Sequence, residues 1–360
     1  MKTAVVLGTR PEIIKMSPVI RELIKRKTDY FILHTGQHYS YNLDKVFFEQ
    51  LRLPEPEYNI EVGSGSQAEQ TADALAGIEK VLIQEKPEVV LVEGDTNSVL
   101  AGALAAAKLH IKVGHVEAGL RSYDRSMPEE INRILTDHCS DYLFAPTEKA
   151  RDILLSEGIP EDKISVTGNT IVDAVYQNLK LSGEHTNALK PLHLEPGGYF
   201  LATLHRQENV DNRDRFASIL DGLGEVAASY NIPLVYPAHP RSVKQMNEFG
   251  LKAPQLTLIE PLDYFEFLQI ESNARLILTD SGGVQEEACI LGIPCVTLRD
   301  NTERPETVDI GANMLAGASK ASILHCTGLM LANKNDWQNP FGDGKAAERI
   351  LSIITGGPDG

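Results

Sequence analysis

Short, fully apolar runs alternate with longer segments of helical period along most of the chain. Residues 4–7 read as a buried strand. Ile13, Met16, Ile20 and Leu23 then share one face of a helix over 13–25. The same pattern predicts strands at 30–34, 89–92, 113–116 and 142–145, and helices at 69–84, 97–109 and 129–139. A strand without polar alternation is buried on both faces, so the pattern predicts parallel sheets covered by helices. Residues 183–198 break the rhythm: they are polar and hold two Pro and three Gly, the composition of a linker. Beyond them strands are predicted at 199–203, 234–236, 276–278 and 295–298, and helices at 215–229 and 284–291.

The expected fold class is α/β, with two Rossmann-like doubly wound domains facing a cleft. The N-terminal domain would span 1–182, the linker 183–198 and the C-terminal domain 199–340. A final helix and tail at 341–360 are left open to pack back on either domain, the N-terminal one included. The halves echo each other: LVEGDTNSVLAGALAAAKLHIKVGHVEAG and LILTDSGGVQEEACILGIPCVTLRD each read strand, Asp-Thr or Asp-Ser turn, helix, strand. Ligands of such sheets sit beyond the carboxyl ends of the strands, so chemistry is sought there.

Composition narrows the classes. The chain has 360 residues, 42% hydrophobic and 23% charged, as globular proteins do. Its formal net charge of −16 disfavours nucleic acid or an anionic membrane as main partner but leaves room for a small anion held by a few local cations. The four cysteines show no C-x-x-C spacing and read as reduced thiols of a cytoplasmic protein. The apolar run of MKTAVVLGTRPE stops at a Gly-Thr-Arg-Pro turn, so it reads as a strand and not as a signal peptide. No stretch approaches the ~18 uninterrupted apolar residues of a membrane span.

The candidate chemistry follows the strands. Arg10 and Lys15 stand at a helix start after the first strand, where free amides and cations favour phosphate. Asp95, in Gly-Asp-Thr-Asn, is either a helix N-cap or an acid–base group. Glu117 lies just past a buried strand, and Glu129 opens a helix. With Asp95 they form three carboxylates from consecutive strand ends, a candidate acid–base cluster. His115 and Glu117 have the H-x-E spacing of zinc deaminases, but no P-C-x-x-C accompanies them, so no metal is expected. In the second half, His205 is a candidate acid, base or phosphate donor, with Arg206 beside it. His239 is a weaker candidate. Ser281, Gly282 and Gly283 open a helix where the backbone can approach phosphate, and Glu286 or Glu287 can take two ribose hydroxyls. Arg304 is a further phosphate cation, and Phe267 a further candidate contact. Neither a Walker loop nor G-x-G-x-x-G is present, so no nicotinamide cofactor is expected.

GTRPEIIKMSP, TGQH, VEGDTNS, HVEAGLRS, PEEINR, TLHRQEN, TDSGGVQEEA and RDNTERPE occur in this order between residues 8 and 306. In this the chain resembles the non-hydrolysing UDP-N-acetylglucosamine 2-epimerases, a family with the glycosyltransferase-B fold. The resemblance implies reversible conversion of UDP-N-acetylglucosamine to UDP-N-acetylmannosamine through elimination of UDP to 2-acetamidoglucal and re-addition. No cofactor is needed, and the product would feed surface polysaccharides. It implies Asp95, Glu117, Glu129 and His205 as catalytic, and Arg10, Lys15, Ser281, Gly282, Gly283, Glu287 and Arg304 as substrate-binding, with Glu287 rather than Glu286 on the ribose. It also implies a homodimer. Leu262 stands where many bacterial relatives have Gln, and TGQH continues YSYN, near residues with which some relatives bind a second, activating UDP-sugar.

Four rival readings are carried alongside. Relatives acting on a UDP-diacetamido-glucuronate tend to have Trp after the Thr-Glu of the TERPE block, where this chain has Arg304. A glycosyltransferase of the same fold would need an acceptor site. A nucleotide-sugar sensor would bind without turnover. A hydrolysing epimerase would release free N-acetylmannosamine.

Overall fold

The computed structural model describes residues 1–36, 41–185 and 187–356. The chain divides into two compact units: Met1–Gln177 with the segment from Phe341 onward, and Asn178–Pro340.

The first unit opens with β1 (Lys2–Leu7), α1 (Arg10–Arg26), β2 (Asp29–His34), α2 (Tyr41–Gln50), β3 (Tyr58–Asn59) and α3 (Gln67–Glu85). It continues through β4 (Val89–Glu93), α4 (Asn97–Lys108), β5 (Lys112–Val116), α5 (Pro128–Cys139) and β6 (Tyr142–Ala145). Then come α6 (Glu148–Ser156), β7 (Ile164–Val166) and α7 (Thr170–His185). The strands form a parallel sheet in the order β3-β2-β1-β4-β5-β6-β7, with Val5 registered on Ile32 and on Leu91. The chain therefore winds outward from β1 in one direction, returns, and winds outward from β4 in the other. That reversal leaves a crevice beyond the carboxyl ends of β1 and β4.

The second unit repeats this plan. Its elements are β8 (Phe200–Thr203), α8 (Gln207–Val210), α9 (Arg213–Tyr230), β9 (Leu234–Pro237), α10 (Pro240–Phe249), β10 (Leu256–Ile259) and α11 (Tyr264–Ser272). They continue with β11 (Leu276–Thr279), α12 (Gly282–Leu291), β12 (Cys295–Thr297), α13 (Pro305–Asp309), β13 (Asn313–Leu315) and α14 (Lys320–Ala332). The sheet order is β10-β9-β8-β11-β12-β13, again all parallel, and its reversal lies between β8 and β11. Both units are thus the expected doubly wound α/β domains.

Local chemistry explains the helix ends. Ser66 and Glu69 form a capping box at α3, and Asp263 and Glu266 form another at α11. Pro11 and Pro128 occupy first-turn positions, where the missing N–H removes no intrahelical bond. β4 and β11 are buried along their whole length, as uninterrupted apolar runs between two helical layers must be.

The unit boundary differs from the predicted linker. α7 runs on to His185, and the division falls inside it, at Gln177 and Asn178. Residues 188–194 do not form a spacer. Ala188, Leu189, Leu192 and Leu194 pack on the second unit's core, and the Ala188 amide donates to Gln269 Oε1 at 2.9 Å. Their apolar side chains outweigh the polar look of the segment.

The last helix, α15 (Ala346–Thr355), belongs to the first unit. Its first-turn amides of Ala346 and Ala347 donate to Asp173 on α7 at 3.1 and 3.0 Å, and Arg26 of α1 donates to the Glu348 carbonyl at 3.0 Å. Among the described residues no helix is long and apolar enough to cross a membrane.

Candidate functional site

In the first unit the polar residues gather where β1, β4 and β5 end. Gly8 follows β1, and a Cβ there would come within 2.1 Å of Ser98 Oγ, so only glycine lets α1 and α4 start this close together. Glu12, buried in the first turn of α1, accepts from the Gly8 amide at 2.6 Å, from Thr9 Oγ1 at 2.9 Å and from Thr96 Oγ1 at 2.8 Å. Burial pushes its carboxyl up to about 7, against the pull of these three donors. Folded protein therefore holds a proton on Glu12 that the unfolded chain, near 4.5, has lost. Between pH 4.5 and 7 stability should fall as pH rises. Glu12→Gln is expected to flatten that decline, by about 3 kcal/mol over the window, in urea unfolding measured at several pH values.

Lys15 lies one turn further along α1. Its Nζ is 2.5 Å from Glu117 Oε2 and 3.2 Å from Glu93 Oε1. Glu117 is buried and stands in the left-handed region at φ 69°, an uncommon conformation for a residue with a Cβ. Asn169, also buried, donates to the same Glu117 oxygen at 3.0 Å and is itself tied through its amide to the Phe341 carbonyl at 2.8 Å. Glu117 thus receives a cation from α1 and an amide donor from the turn before α7.

The N-cap reading of Asp95 does not hold. The N-cap of α4 is Thr96, whose hydroxyl accepts from Val99. Asp95 instead pairs with Arg133 of α5, and its carbonyl accepts from Asn132 Nδ2 at 3.0 Å. Glu129 stands apart: it is exposed on the first turn of α5 and, among the described residues, its side chain makes no hydrogen bond or ion pair. Its neighbour Glu130 is the buried one, accepting from Ser122 and Tyr123 amides at 2.9 Å each and so fixing the loop before α5. Arg10 is exposed at the start of α1.

Beneath these residues lies a buried ionic network. His115 Nδ1 is 2.6 Å from Asp137 Oδ1, and His115 Nε2 is 2.9 Å from the Gly94 carbonyl. Both ring nitrogens face protein oxygens, so neither is turned toward a metal. Asp137 also takes Arg121 Nη2 at 2.8 Å and the Gly119 amide at 3.2 Å, and Arg121 closes a two-bond pair with Glu157. His115 and Arg121 hold Asp137 below the usual carboxylate range although burial opposes this. The network thereby fixes the turns that carry Asp95 and Glu117.

In the second unit Asp280, fully buried after β11, organises the end of β8. It accepts from the His205 and Arg206 amides at 3.1 and 3.0 Å and from Asn209 Nδ2 at 3.1 Å. His205 Nδ1 lies 3.1 Å from Asp280 Oδ1, while the His205 side chain is 44% exposed. A carboxylate on Nδ1–H sets the tautomer in which Nε2 can accept a proton. These contacts hold Asp280 below the usual carboxylate range against its burial. His239 caps α10 by accepting from the Arg241 amide at 3.2 Å, a structural role. Ser281 caps α12, and Gly282 and Gly283 form its first turn, so free amides of a ten-residue helix meet the end of β11.

Glu286 is buried and accepts from Arg304 Nε at 3.1 Å, whereas Glu287 is half-buried. Of the two, Glu287 has the access a ribose ligand requires. Arg206 and the buried Arg299 both reach Glu303, at 3.5 and 3.3 Å. Phe267 and Leu262 are partly buried against the second unit's core. The reading of a second, activating sugar site beside TGQH touches residues 37–40, which lie outside the described residues.

With this geometry in place, known proteins give it a relation. A family model described as UDP-N-acetylglucosamine 2-epimerase matches residues 21–355. The UDP-N-acetylglucosamine 2-epimerase of Methanocaldococcus jannaschii is 57% identical over 99% of this chain and 100% of its own length. The chain belongs to the UDP-N-acetylglucosamine 2-epimerase family. A solved structure of the Methanocaldococcus jannaschii UDP-GlcNAc 2-epimerase, in complex with UDP-GlcNAc and UDP, superposes with a TM-score of 0.87, covering 99% of this chain and 100% of that one. A Pseudomonas aeruginosa relative, UDP-2,3-diacetamido-2,3-dideoxy-D-glucuronate 2-epimerase, is 44% identical over 98% of this chain and 99% of its own. Membership in an epimerase family makes this chain an isomerase of two glycosyltransferase-B-type domains.

Several residues that surround the candidate site carried no signal of their own in the sequence. Asn169 sits in an unremarkable TGNT stretch, and Arg133 reads as one more helix cation. Glu93 and Asp280 were visible only as neighbours of the motifs Gly-Asp-Thr and Ser-Gly-Gly. A carboxylate at the last residue of an otherwise apolar strand is the one cue that could have singled out Glu93.

Proposed function

We propose that the chain interconverts UDP-N-acetylglucosamine and UDP-N-acetylmannosamine. UDP leaves C1 as the C2 proton is removed, giving 2-acetamidoglucal, and adds back as a proton reaches the opposite face of C2. The C2 proton has no adjacent carbonyl, so its removal must accompany loss of the diphosphate. The observation that carries this reading is Glu117, a buried carboxyl held by Lys15 and Asn169 at the sheet's reversal point. Glu117 and Asp95 serve as acid–base groups, and Glu129 joins them on the family resemblance. Arg10, Lys15 and Arg304 supply cations for the diphosphate, whose departure they favour by stabilising its charge. The amides at Ser281, Gly282 and Gly283 take phosphate oxygens, Glu287 takes the ribose, and His205, oriented by Asp280, exchanges a proton with the leaving group. The protein works in the cytoplasm as a homodimer.

Proton NMR of the purified protein with UDP-N-acetylglucosamine in D₂O, with nothing else added, tests this. Deuterium should enter C2 while UDP-N-acetylmannosamine grows to a constant ratio. Release of free N-acetylmannosamine and UDP would indicate hydrolysis instead. A persistent C2 proton would overturn the substrate assignment. The second reading, epimerisation of a UDP-diacetamido-glucuronate, is favoured by the 44% identity to the Pseudomonas aeruginosa relative. Arg304, where such relatives tend to have Trp, weighs against it. The same experiment with that sugar separates the two.

A further inference from the structure

Three carboxyls and one amine lie close together at the ends of β1, β4 and β5. Glu12, Glu93 and Glu117 are all buried, and Lys15 is the cation among them. The groups facing Glu93 are Glu12 and Lys15 from α1 and Glu117 from the turn after β5. At this level β1 and α4 contribute no titratable side chain: Lys2 and Lys108 stand at the far ends of their elements. His115 on the neighbouring strand is engaged by Asp137 and the Gly94 carbonyl, and Asp95 by Arg133.

One cation cannot balance three buried anions, so at least one carboxyl is neutral. The donors say which of them binds its proton most tightly. Glu12 accepts three hydrogen bonds, and Glu117 accepts from Asn169 and meets Lys15 at 2.5 Å. Glu93 has Lys15 alone among the described residues, as an ion pair at 3.2 Å, with its side chain 2% exposed. It is the least solvated of the three as an anion. Burial and the neighbouring carboxylates act in the same direction, holding its carboxyl well above the ordinary range.

We propose that Glu93 is a positioning residue that keeps its proton in the working enzyme, so that Lys15 serves only Glu117 and the incoming diphosphate. The inference rests on the epimerase reading of this site. An ionised Glu93 would draw Lys15 toward itself and add a negative charge beside an anionic substrate. Its ionisation therefore forms an alkaline limb in kcat/KM, while kcat at saturation changes less.

Two measurements on Glu93→Gln test this. Turnover at neutral pH should stay within about tenfold of the unaltered protein, and the alkaline limb of kcat/KM should move up by about one pH unit or more. An unmoved limb would overturn the proposal. Infrared difference spectra at pH 8, unaltered protein minus variant, should show one neutral-carboxyl band that shifts in D₂O. Loss of a carboxylate band instead would mean that Glu93 is ionised, and would equally overturn it. Should Glu93→Gln misfold, Glu93→Met, uncharged and of similar length, gives the same spectral comparison. The infrared result does not depend on turnover. A protein that never exchanges the C2 proton would sink the epimerase reading and leave the protonation of Glu93 to be decided by its own band.

Discussion

Glu117→Gln is expected to lower exchange of the C2 proton by about 10²–10⁴-fold, the range contributed by a positioned acid–base group. Glutamine has the shape of glutamate, and its carbonyl oxygen can still accept from Asn169 and Lys15, whose contacts at 3.0 and 2.5 Å orient the native side chain. Fold and UDP affinity should therefore change little. The readouts are deuterium incorporation by NMR and UDP binding by calorimetry. An unaltered exchange rate in a folded variant would remove Glu117 from the chemistry. A variant that lost UDP binding as well would point to a role in holding the diphosphate through Lys15.

Asp137→Ala is expected to destabilise the first unit by about 3–5 kcal/mol, the usual cost of removing one partner from a buried ionic network. The reason lies in what remains. Arg121 would keep its charge in a dry interior with Glu157 alone to answer it, and His115 Nδ1 would lose its partner. The Gly119 amide would lose its acceptor, at a glycine with φ 85° where a Cβ would sit 2.5 Å from the Ala150 carbonyl oxygen, so the turn has little freedom to find another. The single tryptophan, Trp337, lies in the second unit, where its indole N–H donates to the Cys289 carbonyl at 3.0 Å. Urea unfolding followed by circular dichroism should show an earlier transition for the first unit, while the Trp337 fluorescence transition moves little. A shift below about 1 kcal/mol would show that the network is not needed for stability.

Much of the architecture was legible in the residue pattern. The fully apolar strands, residues 4–7, 89–92 and 276–278 among them, have no alternation and can be stable only between two helical layers. Short edge elements escaped for the converse reason. β3 has two residues, and β10 buries only its first fully, so neither carries enough apolar repeat to stand out. The unit division falls elsewhere than the predicted linker because the leucines between its Pro and Gly pack on the second unit's core.

The sequence by itself determined the two parallel-sheet domains and the blocks of residues at their strand ends, because strand burial and turn chemistry are local properties of neighbouring positions. It also determined the family, since eight ordered blocks over some three hundred residues do not arise from βαβ geometry alone. Only the tertiary structure decided which partners each carboxyl meets. Glu117 meets Lys15 across 102 positions, Asp95 meets Arg133 across 38, and Glu93 is left with a distant share of one amine. Whether a carboxyl is an anion, a proton holder or a cap depends on the donors and the water around it. Those are supplied by residues far away in the chain, brought close by the winding of the sheet.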